Sequence, residues 1–156
     1  MEYIDGILSN YVLIAAVLGW ASAQVIKTII DFGFTKELKL ERLVGSGGMP
    51  SCHSATVCAL ATACGIFYGV ESAAFAISAI FAIVVMYDAR GVRRETGNQA
   101  EVLNQIMTFL HAKNPEEIKF NQEKLKELIG HTPLQVCMGA IWGVISAFIT
   151  YNLFYI

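Results

Sequence analysis

Three long apolar runs, 7–30, 54–87 and 134–154, constrain this 156-residue chain more than any other feature. As a helix rising 1.5 Å per residue, about 20 apolar residues cross the roughly 30 Å hydrocarbon core of a bilayer. A helix also satisfies its own backbone polar groups, which lipid cannot do. The second run, 34 residues from Ser54 to Tyr87, is too long for one unbent span, and Tyr68-Gly69-Val70-Glu71-Ser72 breaks it with a glycine and a charge. The economical solution is a tight hairpin, with spans at 54–70 and 72–87; a single long tilted helix is the alternative. The expected fold is therefore all-α, a polytopic membrane helical bundle of about four transmembrane helices (7–30, 54–70, 72–87, 134–154). Cytoplasmic amphipathic helices are expected beside it, and 1–156 forms a single integral-membrane domain. Small residues such as Ala55, Ala59, Ala63, Gly65, Ala76 and Ala82 would let the helices approach closely, within one chain or between copies in a homo-oligomer. Composition agrees, with 55% apolar residues, 15% charged and a mean hydropathy of +0.53.

The polar connections orient the chain. All eleven Lys and Arg residues lie at Lys27, in the 31–53 connection or in the 88–132 connection. The positive-inside rule places both connections in the cytoplasm and both termini outside. Short amphipathic pieces are expected at Thr35 to Leu43 and at Gln99 to Leu110, the latter partly inserted. A surface helix is expected from Asn114-Pro115-Glu116-Glu117 to Gly130. Thr132-Pro133 reads as the cap and first turn of the last span. The N-terminus carries Glu2 and Asp5 rather than a basic n-region, so no cleaved signal peptide is expected. Cys52, Cys58, Cys64 and Cys137 show no C-x-x-C spacing and read as small buried side chains. A net charge of −2 leaves no basic surplus for nucleic acid.

One stretch departs from the apolar theme. Ser46 to Ala55, SGGMPSCHSA, is a glycine turn leading through Pro50 and Ser51 into a helix start. Gly47 and Gly48 let backbone N–H groups approach a ligand, Ser51 is a typical N-cap, and a helix N-terminus favours an anion such as phosphate. A capped loop with no ligand has the same signature. The topology brings further polar residues to the same membrane face: Lys27 after span one, Asp88 with Arg90, Arg93 and Arg94 after span three, and His131 before span four. Singly, each has an ordinary explanation, Lys27 for instance as a lysine snorkelling to the interface. Together they form a phosphoryl-transfer set, in which guanidinium and ammonium groups neutralise phosphate oxygens. Two histidines can divide the nucleophile and proton-donor roles while a carboxylate orients an imidazole. Nothing resembles a multi-carboxylate magnesium site, so neither metal nor cofactor is expected. His111 lacks such neighbours and reads as a surface residue.

SGGMPSCHSA, DARGVRRETGNQAEVLN and GHTPLQV, with the Gln24 and Lys27 pair, closely resemble the divergent branch of the type 2 phosphatidic-acid phosphatase and vanadium-haloperoxidase superfamily. The resemblance covers nearly the whole chain. It implies a small all-helical protein of the cell membrane acting on a lipid phosphate by a phosphohistidine route without an obligatory metal. The superfamily motif P-S-G-H corresponds to Pro50 to His53 with Cys52 in place of glycine, which makes His53 the acid for the leaving group. The motif S-R-x5-H-x3-D, aligned on Arg94, places Ala100 at its histidine and Asn104 at its aspartate, and K-x6-R-P has no clean match. His131 is then the available nucleophile, with Asp88 orienting it or binding substrate through a cation. The expected function is hydrolysis of a lipid phosphate or isoprenyl diphosphate at a cytoplasmic-facing site. The alternatives are a lipid-phosphate binding or transport protein that keeps the phosphate cradle, and a structural membrane subunit.

Overall fold

The computed structural model describes residues 2–36, 48–113 and 130–155. Among these are six helices: α1 (Glu2–Leu8), α2 (Tyr11–Thr35), α3 (Cys52–Tyr68), α4 (Ala73–Arg90), α5 (Val92–Lys113) and α6 (Pro133–Tyr155), with no strand among the described residues. Helices α2 and α6 are long and apolar enough to cross a membrane, as is the apolar run that begins with α4. Helix α3, with 17 residues, is the shorter apolar helix. It is also the central one, packing against α2, α4 and α6, whereas among the described helices α5 lies against α4 alone.

Local chemistry sets the helix limits. The run beginning at Ile7 is not continuous: it breaks after Leu8, and Asn10 caps α2 by accepting the Leu13 N–H at 3.1 Å. At its other end α2 continues to Thr35, so Lys27 lies two turns inside the helix rather than at its end. The expected hairpin forms between Tyr68 and Ala73, where Ser72 caps α4 by accepting the Phe75 N–H at 3.1 Å. Helix α5 starts at Val92, well before Gln99; it lies outside the bundle, so its first two turns need no apolar stripe to reveal them. The surface pieces expected at Thr35 to Leu43 and Asn114 to Gly130 fall almost wholly outside the described residues.

Burial is inverted relative to a water-soluble bundle. Large side chains such as Val17, Ile29, Ile80, Phe81, Ile141 and Phe148 are exposed, while the interior is built of alanine, glycine and serine. Three stripes at i, i+4 spacing make this core: Ala15, Gly19, Ala23 and Lys27 on α2; Ser51, Ala55, Ala59 and Ala63 along α3 from its N-cap; Gly139, Gly143 and Ala147 on α6. In lipid, helices gain little by hiding leucine from a solvent that is equally apolar, so they associate through close backbone contact. A Cβ at Gly143 would strike the Ala55 carbonyl oxygen, and one at Gly19 would lie 2.8 Å from the Ala59 Cβ. Trp142 donates from Nε1 to Ser22 Oγ at 2.9 Å, fastening α6 to α2. At one end of the bundle, Phe67 stacks on Tyr11 at 5.3 Å and meets Tyr151 edge-on at 5.8 Å. Cys52 and Cys64 are buried as expected; Cys58 is half-buried, and Cys137 is exposed because it points away from the Gly139 stripe.

Because backbone oxygen cannot yield as a flexible side chain can, Gly143→Ala should destabilise the protein by about 1–3 kcal/mol. Gly33, with nothing near its Cβ position, should accept alanine with a gain of about 0.5–1 kcal/mol. Thermal unfolding of the two variants in detergent checks the contrast.

Candidate functional site

The polar site lies at the end of the bundle where the three small-residue stripes terminate. On α2 the stripe ends in Lys27, which is 3% exposed, next to Gln24 at 6%. Such burial does not fit a lysine reaching out to an interface. The Lys27 stem runs over the glycine turn, its Cγ and Cδ each 3.0 Å from where a Cβ on Gly48 would sit. Gly48 has φ +82°, a left-handed conformation that side chains disfavour, so both backbone and space require glycine there. The Met49-Pro50 peptide bond that follows is cis.

Ser51 caps α3, accepting from the Ser54 N–H at 3.4 Å and from the Ser54 hydroxyl at 3.1 Å; both serines are fully buried. The Ser51 N–H donates to the Gln135 backbone carbonyl at 3.0 Å, which joins the turn to the first turn of α6. His53, half-buried in the first turn of α3, has its Nδ1 3.9 Å from Cys52 Sγ. The His131 N–H donates to the Ala89 carbonyl at 3.2 Å, tying the segment before α6 to the last turn of α4. His131 is 3% exposed, and its ring meets that of His53 edge-on with centroids 6.0 Å apart. Residues separated by 78 positions in sequence thus face each other across the mouth of the bundle.

Thr132 and Gln135 form a reciprocal capping box. Gln135 N–H donates to Thr132 Oγ1 at 3.3 Å, and Gln135 Oε1 accepts the Thr132 N–H at 3.1 Å. The same Oε1 lies 3.2 Å from His131 Nδ1. Gln135 is therefore a site residue that the sequence reading missed, although Thr132-Pro133-Leu134-Gln135 carries the T-x-x-Q signature that would have found it. Gln135 thus gives the His131 ring an orienting contact at Nδ1. Asp88 itself is half-buried beside the Ala89 carbonyl, and Arg90 is exposed. Arg93 and Arg94 fall in the first turn of α5, but their side chains, like that of His111 and the whole of Gly47, lie outside the described residues. Among the described residues no three His, Cys, Asp or Glu side chains converge as a metal-binding group.

A core of small residues, an exterior of large apolar ones and a buried polar cluster at one rim define a helical integral membrane protein. The chain belongs to the Divergent PAP2 family, whose model matches residues 8–146. It is 40% identical over 146 residues to the uncharacterized membrane protein YuiD of Bacillus subtilis (strain 168), an alignment covering 89% of this chain and 92% of that protein. No solved structure matches the chain significantly.

Gly48→Ala should cost about 1–2 kcal/mol for the left-handed backbone alone, with a further loss as the Lys27 stem is displaced. Ser51→Ala should cost about 0.5–2 kcal/mol through loss of the cap. Denaturant-induced unfolding in mixed micelles measures both.

Proposed function

We propose that this protein is a membrane phosphatase that hydrolyses a lipid phosphate or an isoprenyl diphosphate at the cytoplasmic face of the cell membrane. The observation carrying the proposal is the pairing of His53 and His131 at 6.0 Å between ring centroids, at the rim where Lys27 is buried against the glycine turn. Family membership supports the same chemistry.

In this reading Lys27 and the N–H groups of the turn balance the charge of the phosphoryl oxygens, and Arg90, Arg93 and Arg94 hold the approaching headgroup. His131 attacks phosphorus while His53, as imidazolium, gives its proton to the leaving oxygen. Water then enters at phosphorus, its proton passing to His53, and the phosphorus–nitrogen bond breaks to free His131 and phosphate. The exposed apolar faces of the bundle let lipid tails reach the site laterally.

A second reading, a lipid-phosphate binding or transport protein without turnover, is favoured by one observation: Ala100 and Asn104 occupy the positions of the superfamily's histidine and aspartate. Purified protein assayed for phosphate release from phosphatidic acid and from isoprenyl diphosphates separates the two. Hydrolysis that falls about 10²–10⁴-fold in His53→Ala and in His131→Ala is expected. Activity untouched by both substitutions rejects the mechanism, and binding without release favours the second reading. Fusion reporters at the two termini and in the 88–132 connection should place the termini outside and the connection in the cytoplasm.

A further inference from the structure

The capping box at the start of α6 does more than end a helix, because its glutamine oxygen is shared with a histidine. We infer that Gln135 is a positioning residue: it holds His131 in the Nδ1–H tautomer, so that Nε2, a buried atom, carries the lone pair that would attack phosphorus. The inference rests on the phosphatase reading for the fate of Nε2, but not for the tautomer.

Donors and acceptors alone fix the tautomer. A glutamine side chain can be turned end for end, exchanging its oxygen and nitrogen, and a histidine can carry its proton on either ring nitrogen. The Thr132 backbone N–H removes the first freedom, since a main-chain amide only donates and the atom 3.1 Å from it must therefore be the amide oxygen. That oxygen has no proton to give. Nδ1 of His131, 3.2 Å away from it, must then be the donor, which leaves Nε2 unprotonated in the neutral ring. The bond runs between groups on the same turn, one on the loop and one on the first turn of α6, and the Gln135 main chain is independently fixed by the Ser51 N–H at 3.0 Å. The ring is thus held from the α6 side while its backbone is held by Ala89. During transfer the Nε2 lone pair forms the bond to phosphorus and the phosphorus–oxygen bond to the leaving group breaks, its oxygen taking the proton of His53. The positive charge gained by the His131 ring is then shared through Nδ1–H with the glutamine oxygen. A neutral amide in this place stabilises that charge less than a carboxylate would.

The test is nitrogen NMR of the full-length protein in detergent micelles, labelled at histidine and recorded above the pH range of imidazole titration. The His131 signals are assigned by their absence in His131→Gln. Wild type is expected to show the Nδ1–H tautomer, Gln135→Met a mixture of both tautomers, and Gln135→Glu the wild-type pattern, since a carboxylate oxygen accepts the same two N–H groups. With short-chain phosphatidic acid as substrate, Gln135→Met should lower kcat about 10–100-fold at nearly unchanged KM, and Gln135→Glu should restore most of it. A merely structural cap would lose stability without this split or this rescue. A wild-type Nε2–H tautomer overturns the inference with no variant needed, as does a Gln135→Met protein that keeps both the tautomer and kcat. Spectra as expected from a protein that releases no phosphate would support the tautomer lock while overturning the phosphatase reading.

Discussion

The closeness of α3 to α6 and α2 is the constraint on which the rest depends. Gly143 against the Ala55 carbonyl, Gly139 against Ser51 and Gly19 against Ala59 leave no room for a side chain between the helices. In a lipid environment this is how packing stabilises a bundle, because many short-range contacts replace the water-driven burial of large side chains. The arrangement also explains how a helix of 17 residues can be the centre of the molecule. Helix α3 is enclosed on three sides by protein.

The same stripes carry the chemistry. Lys27, Ser51 and Gln135 stand at i, i+4 steps from Ala23, Ala55 and Gly139, so each polar residue continues a row of small ones. Helices that approach this closely along their length must also bring the ends of those rows together. The polar cluster is consequently formed by rigid elements rather than by long side chains searching for one another. Several of its groups are linked by hydrogen bonds: a serine pair under the α3 cap, a main-chain bond from Ser51 to Gln135, and an amide oxygen shared by Thr132 and His131. Buried polar groups so connected favour a single geometry.

The chain belongs to the Divergent PAP2 family, and Ala100 and Asn104 stand where the superfamily motif S-R-x5-H-x3-D, aligned on Arg94, has its histidine and aspartate. The two positions lie on α5, which packs on α4 outside the central bundle. A histidine there would start from the periphery, whereas His131 starts from the core, 3% exposed and bonded to α4 and α6 together.

Much of this was legible in one dimension because it depends on length and period. Apolar runs of span length, the Gly69 interruption, the Ser51 and Thr132 starts and the grouping of polar residues at one end follow from helix rise, capping chemistry and charge asymmetry, none of which needs a partner helix. The PSCH and GHTP segments likewise announced His53 and His131. What the tertiary structure alone decided is which face of each helix turns inward and what meets there. The depth of Lys27, the break at Asn10, the start of α5 at Val92 and the exposure of Cys137 all depend on neighbours far along the chain. So does the partner of His131. At Nδ1 the atom that packing places within reach is the oxygen of Gln135.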